Sequence, residues 1–466
     1  VPRSNVTALN SHAAKVSAGA EGFAMDTVRI EDDIPVVSRP DVLVAGGGFA
    51  GICAAVAAAE QGADVLLVEG FSELGGAMAV SGVSGFCGHT RGVGRVFDEI
   101  IAALEEARAI TPYHPEQDAR AVETVYVGFL MQEYVLRKGV TLLLHSRVAA
   151  TRRDGNNVDT VFLHTAGGLQ AYCPKLIVDA TGDADVAFAA GYPTVSGSES
   201  GGAPLPMSLY FSMWDTHCEQ TPWLPPGCPR YTAETIPMTS IHRHENGRID
   251  VKMKVIGHSA VNARELSDAE IEARRQMMGL VYFLQTEGYS GRRYSTYCLS
   301  SISPLIGIRE GRRIIGDVVL TEQDVRAGRE WEDAVVVGTY HVDYHWPTVL
   351  QRAGTGITDA VPPYHIPLRA LIPRGSENLL VAGRCGSGDQ MAMSSFRVMA
   401  TAAGMGIAAG MCGCLALREG CAPRDVDVGE LQNLLRRNGV VLDCSWHSIY
   451  QQERRRRAME ATAETP

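Results

Sequence analysis

The stretch DVLVAGGGFAGICAAVAAAEQGADVLLVE, residues 41–69, decides the reading of this chain. Asp41 to Ala45 is a short apolar run, as expected of a buried parallel strand. It breaks at Gly46-Gly47-Gly48-Phe49-Ala50-Gly51 and runs into Ile52–Gln61, an Ala-rich helical stretch. Gly62 can end that helix, and 63–69 is a second apolar strand. Strand, helix and strand within about thirty residues make one βαβ unit. Gly46, Gly48 and Gly51 form GxGxxG in the position where a dinucleotide site needs it. The first glycine permits the tight turn, the second lets backbone approach a pyrophosphate, and the third lets the helix pack on the sheet. The helix N-terminus offers free amides to phosphate. Glu69 closes the second strand, where a carboxylate can accept from both ribose hydroxyls and disfavours a 2′-phosphate. FAD and NAD both remain open on these residues alone.

Working outward, Gly75-Gly76-Ala77-Met78 makes a second glycine-rich approach soon after Glu69. A third, Gly383 to Gly388, comes more than 300 residues later and feeds another helix. A long cofactor held by N-terminal and C-terminal pieces of one domain is the habit of FAD proteins, so FAD is the expected cofactor. The fold class is therefore α/β, a Rossmann-like FAD-binding domain of glutathione-reductase type. From about 206 to 364, Pro, aromatic and charged residues mix with shorter strands, which reads as an inserted α+β substrate domain. The expected division is an arm at 1–35, FAD-binding segments at 36–205 and 365–440, the insertion at 206–364 and a tail at 441–466. Helices are expected over 97–110, 121–138, 267–287 and 430–438, and strands over 140–151, 158–165, 175–180 and 379–382.

Composition narrows the function. The 466 residues carry a net charge of −11, which argues against nucleic acid as a partner. Hydrophobic residues make up 45%, enough for a sizeable core. The eleven Cys show no CxxC spacing, which suits free thiols in a reducing, cytoplasmic setting. Residues 398–417 are uncharged over the length of a membrane span and contain Gly406 and Gly410 in GxxxG. Their side chains are mostly Ala, Gly and Met, so a buried helix is expected rather than a span. The arginine run 454–457 reads as a solvated face.

The motifs VAGGGFAGICAAVAAAEQGADVLLVE (44–69), LGGAM (74–78), VDATGDADVA (178–187), GIREGRRIIGDVVLTEQDV (307–325) and NLLVAGRCGSGDQMAMSSFRVMATAAGMGIAAG (378–410) resemble the FAD-dependent oxidoreductases of the fumarate reductase/succinate dehydrogenase flavoprotein superfamily. The resemblance spans about 36 to 440. It implies that Gly46, Gly48, Phe49, Ala50, Gly51 and Glu69 hold the ADP half. It places Val148 at the adenine and Ala180, Thr181 and Gly182 on the adenosine side. Gly75, Gly76, Ala77 and Met78 would approach the ribityl chain and ring, with Gly383 and Arg384 beside the ribityl chain. Fumarate reductases carry Glu where this chain has Arg384, so the resemblance does not reach fumarate itself. Phe396, Arg397 and Val398 look like the start of the last helix, aimed at the flavin. A positive centre at Arg397 would stabilise reduced flavin, unless it pairs with an acid such as Asp389 and only anchors the loop.

Three further groups are candidates. If 339–346 is a strand, His341, Asp343 and His345 share a face, as a base with its orienter, as a metal site, or as a plain polar face. The resemblance favours His345 as the base. Arg309, with Arg312 and Arg313 near it, can clamp a substrate carboxylate or pair between domains through Glu310. Cys385 is either flavin-reactive or a small buried residue. The expected function is hydride transfer between a small-molecule substrate and flavin N5, with substrate oxidation preferred. A flavin monooxygenase and a non-catalytic FAD-binding protein stand as alternatives. The electron acceptor is unassigned, no metal is expected, and a homo-oligomer is open.

Overall fold

The computed structural model describes residues 31–113, 119–198, 201–244, 246–351, 356–449, 451, 452 and 456. Of the arm expected over 1–35, residues 1–30 lie outside them, as does the arginine run apart from Arg456. Five parallel strands stand in the spatial order Leu379–Val381, Leu176–Asp179, Val42–Ala45, Val65–Val68, Thr141–Leu143. Every residue of the first four is buried. That is why their sequences are continuous apolar runs without alternation. The chain moves outward from Val42–Ala45 to Val65 and Thr141, then returns on the other side with Leu176–Asp179. Where the order reverses, connections leave in opposite directions and open a crevice at the carboxyl ends.

One face of this sheet is covered by the helices Phe49–Ala59 and Met399–Glu419. Between these two, backbone meets backbone. A Cβ on Gly406 would fall inside the van der Waals envelope of the Ala50 carbonyl, and one on Gly410 inside that of Ala54. Met399–Glu419 is the one helix among the described residues long and apolar enough to cross a membrane, and 89% of that apolar window is buried within the fold. Its small side chains thus serve close helix packing. Gly406→Ala or Gly410→Ala is expected to cost about 1–3 kcal/mol by overpacking. A urea titration reads this as a lower midpoint at unchanged slope, and an unchanged midpoint would contradict the contact.

The other face carries a meander, Arg147–Asp154, Asn157–Thr165 and Gly168–Tyr172, with Val36–Ser38 at its edge. Val158, Val161 and Leu163 pack there on Leu43, Leu66 and Ile177. The single strand expected over 140–151 is two. Thr141–Leu143 belongs to the parallel sheet and Arg147–Asp154 to the meander. His145 breaks them apart with φ +51°, and the amides of His145 and Ser146 bond Phe71 O and Glu69 O at 3.1 and 2.9 Å. The helix expected over 121–138 is only Val127–Arg137, because Ala119–Ala121 pairs with Gly85–Cys87. That expected over 97–110 is Arg95–Glu106, and those over 267–287 and 430–438 are Ala263–Thr286 and Val428–Arg437.

A separate four-stranded antiparallel sheet runs Thr239–Arg243, Arg248–Val255, Met207–Asp215, Tyr297–Ile302. Leu209, Phe211, Met213, Val251 and Met253 turn to the helix Ala263–Thr286 and make their own core with it. Alternate residues of the same strands turn to the crevice. Phe396 and Arg397 do not start the helix Met399–Glu419, whose N-cap is Val398. Gln390–Phe396 is a helix of its own, Arg397 caps its end, and Val398 precedes Met399–Glu419.

Candidate functional site

A single cleft of about 1090 Å³ runs from the crevice of the parallel sheet to the polar face of the antiparallel sheet. At one end stands the N-terminus of Phe49–Ala59, with no side-chain cap and no acidic residue in its first turn. Its first amides therefore point at the cleft unpaired, as an anion requires. The glycines have distinct reasons to be glycine. Gly46 has φ +103°, and a Cβ there would strike Ala180 and Thr181 backbone. Gly51 lies against Gly46 O, beneath the cleft. Gly48 is different: its φ of −72° suits any residue, and a Cβ would meet only Gly76 Cα, at 3.8 Å. The protein itself leaves that space open, so the glycine is required by what enters the cleft.

Glu69 is 7% exposed, and its carboxylate accepts from Gly47 N at 2.6 Å and Phe71 N at 2.9 Å. Burial raises its carboxyl above the ordinary value, and those amides oppose the rise. Each oxygen keeps a lone pair for a ribose hydroxyl. Asp179, fully buried and lifted to about 6 by that burial, shapes the next turn. It accepts from Thr181 Oγ1 at 2.7 Å and Ala187 N at 3.0 Å, which sets Ala180, Thr181 and Gly182 on the cleft wall. Arg384 lies flat against Gly182, with its guanidinium bonded to Asp183 at 2.9 Å. These features fit a dinucleotide: free amides, an open glycine, a buried acid and a second glycine segment within one groove.

At the far end the strand Val342–His345 brings in Asp343 and His345. His345 Nε2 stands 3.2 Å from Asp343 Oδ1, and Arg397 Nη2 bonds Asp343 O and Oδ2, each at 3.0 Å. Burial works to raise the Asp343 carboxyl, but His345, Arg397 and Arg309 outweigh it and hold it below the carboxylate range. Burial pushes the His345 imidazole down to about 4, against the lift from Asp343. At neutral pH, His345 is therefore uncharged. Nε2 donates to ionised Asp343, and Nδ1 is left as a buried acceptor with no partner among the described residues.

Most sequence candidates meet in this cleft. Gly46, Gly48, Phe49, Ala50, Glu69, Gly75, Gly76, Ala77, Val148, Ala180, Thr181, Gly182, Gly383, Arg384, Arg397 and Val398 line it, together with Arg309 and His345. Three do not. Gly51 packs below, the Met78 side chain is wholly inside the main core, and Phe396 lies in that core against Gly388. His341 precedes the strand and stacks on Tyr340, with ring centroids 3.9 Å apart. Arg397 pairs with Asp343 rather than Asp389, which caps Gln390–Phe396 by accepting from Ala392 N at 2.7 Å. Arg313 makes the buried pair with Glu310, and Arg312 bonds Asp185 at 2.9 Å, so both are structural. Cys385 is fully buried and bonds backbone carbonyls, its thiol pushed far up by burial.

Ser208, Tyr210, Lys252, Tyr340 and Cys87 also line the cleft and were missed. Period-two alternation was the available signal. Ser208 and Tyr210 alternate with Leu209 and Phe211, and Lys252 alternates with Val251 and Met253, so the polar set faces away from the helix-covered core. Among the described residues, no group of three or more His, Cys, Asp or Glu side chains is placed to hold a metal ion.

Residues 41–435 match the family model described as FAD dependent oxidoreductase. No curated protein matches the sequence significantly. Among solved structures, the chain is similar to a geranylgeranyl bacteriochlorophyll reductase-like protein of Thermoplasma acidophilum, 12% identical, covering 90% of this chain and 88% of that one at a TM-score of 0.46. It is similar to the anhydrotetracycline hydroxylase OxyS of Streptomyces rimosus, 13% identical, covering 92% and 76% at a TM-score of 0.47. It is also similar to the myxobacterial chondrochloren halogenase CndH, 12% identical, covering 92% and 82% at a TM-score of 0.46.

Proposed function

The chain belongs to the FAD dependent oxidoreductase family, and from that premise we propose that it oxidises a small organic molecule at the far end of the cleft. FAD, when bound, supplies the two-electron chemistry by accepting hydride from a substrate carbon. The residues named at the helix end, with Glu69, Gly75, Gly76, Gly383 and Arg384, would hold it. The protein's own work is proton and charge management. The His345 imidazole, which lines the cleft, accepts the proton of the substrate hydroxyl or amine as the hydride leaves. Asp343 fixes the imidazole tautomer and Arg397 fixes Asp343, an arrangement of base, orienter and anchor. The observation that carries the reading is this Arg397–Asp343–His345 chain, ending on an imidazole that lines the same cleft as the glycine fingerprint.

In this reading residues 36–205 and 365–440 form a glutathione-reductase-type FAD-binding domain and 206–364 the inserted substrate domain. The separate core beneath Ala263–Thr286 supports that insertion. We place the chain in the fumarate reductase/succinate dehydrogenase flavoprotein superfamily and in the cytoplasm, on its motifs and free thiols.

Anaerobic mixing tests the reading. Members of a panel of hydroxy and amino compounds are expected to bleach the flavin, and NADH and NADPH are expected to do so slowly. Fast bleaching by a nicotinamide alone would favour an oxygen-activating hydroxylase instead.

The pH profile tests the anchor. Arg397 disfavours the imidazolium, so its loss raises the His345 value. Turnover by the parent should fall only as pH drops through about 4, where His345 takes a proton. In Arg397→Met that acid limb is expected to move to higher pH. An unmoved limb in a folded, FAD-loaded variant would take Arg397 out of the chain.

A further inference from the structure

Two cations in the cleft lack an opposing carboxylate. Lys252 lies on the polar face of the antiparallel sheet, directly across from Tyr210. Arg309 is fixed beside them: Gly307 exchanges both backbone bonds with Ser208, and Arg309 Nη1 donates to Pro206 O at 2.7 Å. Among the described residues neither side chain has an acidic partner within ion-pair distance. The nearby acid, Asp343, is committed to Arg397 and His345. Leaving two cations in one buried wall without a counter-charge is costly. An occupant of the cleft that brings negative charge would offset that cost. The pyrophosphate site at Gly46–Gly51 lies on the parallel-sheet side and does not answer this need.

We propose that the substrate carries a negatively charged group of carboxylate class, seated between Lys252 and Arg309. This rests on the reading of the cleft as the substrate site of a flavin oxidoreductase. It adds Lys252 to the site and makes binding proton-linked. In the free protein burial, then Arg309, bring the Lys252 ammonium down to about 8. A bound anion favours the charged form, so the amine takes up a proton when the anion binds. Affinity is then full below about pH 8 and is lost as pH rises through it. The groups facing Lys252 are Tyr210 on the neighbouring strand, Arg309, Cys87, and Asp343, His345 and Arg397 across the cleft. Asp250 and Lys254 share its face on its own strand. Asp250 is bonded to Ser212 and His244 at 2.6 and 2.7 Å. Lys254 donates to Trp346 O at 2.9 Å and is also brought down to about 8 by burial, so it is the control residue.

The test is calorimetry on the FAD-loaded protein, with flavin content measured in each sample. The probes are acetate, benzoate and succinate, each against its neutral amide. At pH 7 at least one carboxylate is expected to bind more than about tenfold tighter than its amide. Its Kd should rise as pH passes through about 8 and level off about tenfold higher, the same factor that loss of the ammonium costs in Lys252→Met. Lys252→Arg keeps the affinity and flattens the alkaline rise. Lys252→Met weakens carboxylate binding about tenfold at pH 7 and leaves amide binding alone. Equal binding of acids and amides would overturn the proposal, as would an alkaline rise that survives in Lys252→Arg. Carboxylate binding with this profile in a protein that oxidises nothing would remove the oxidation reading and leave the anion site. Oxidation confined to neutral compounds would do the reverse.

Discussion

Gly48→Val is expected to give a folded protein that no longer holds FAD. The substitution is informative because the fold does not need this glycine. Backbone there is extended, at φ −72° and ψ 177°, which valine adopts readily, and the space a side chain would take is bounded only by Gly76 Cα at 3.8 Å. By contrast, side chains at Gly46 or Gly51 collide with backbone, so their loss would confound folding with binding. The isopropyl group of valine at position 48 stands where the pyrophosphate must approach the amides of Phe49 and Ala50. A loss of a hundredfold or more in affinity, about 2.7 kcal/mol, is expected. It reads as flavin content near zero with an unchanged urea midpoint. Normal flavin content would show that the groove serves the turn alone.

His345→Ala is expected to lower turnover by about 10² to 10⁴ while flavin content stays at the parent level. The imidazole is neutral at pH 7, because burial holds it down to about 4. The ring lines the cleft, and its Nδ1 has no hydrogen-bond partner among the described residues. Removing it takes away the proton acceptor and leaves the glycine groove untouched. Asp343 then lines the cleft bonded to Arg397, and with Arg397 and Arg309 holding its carboxyl low it is too weak a base to replace the imidazole. A steady-state assay with the best substrate from the panel, alongside flavin content, checks this. Full activity would return His345 to a packing role.

The part of the fold legible in the sequence was the part governed by local rules. Asp41–Glu69 announced its strands by unbroken apolar runs and its cleft by glycines at fixed spacing. The all-small helix Met399–Glu419 announced close packing through Gly406 and Gly410. The site was legible where a motif fixed backbone, as at Gly48, Glu69, Gly182 and Gly383. What escaped depended on tertiary pairing. The break at His145 follows from hydrogen bonds to Phe71 and Glu69, residues far from it in sequence. The resemblance assigned Met78 and Phe396 to the cofactor, yet a single step along a helix turns a side chain by about 100° and into the core. Lys252 and Tyr210 carry no motif. Their alternation marked one polar face, but only the assembled sheet shows that this face looks onto the cleft rather than onto solvent.

The account rests on FAD filling the groove between Gly48 and Gly383 without a covalent bond, since Cys385 is buried away from the cleft. Acid precipitation of the purified protein, with the supernatant resolved by chromatography, tests this most directly. The account predicts free FAD, near one per chain, in the supernatant and a colourless pellet. A colourless protein that takes up no added FAD, or flavin that stays with the pellet, would contradict it.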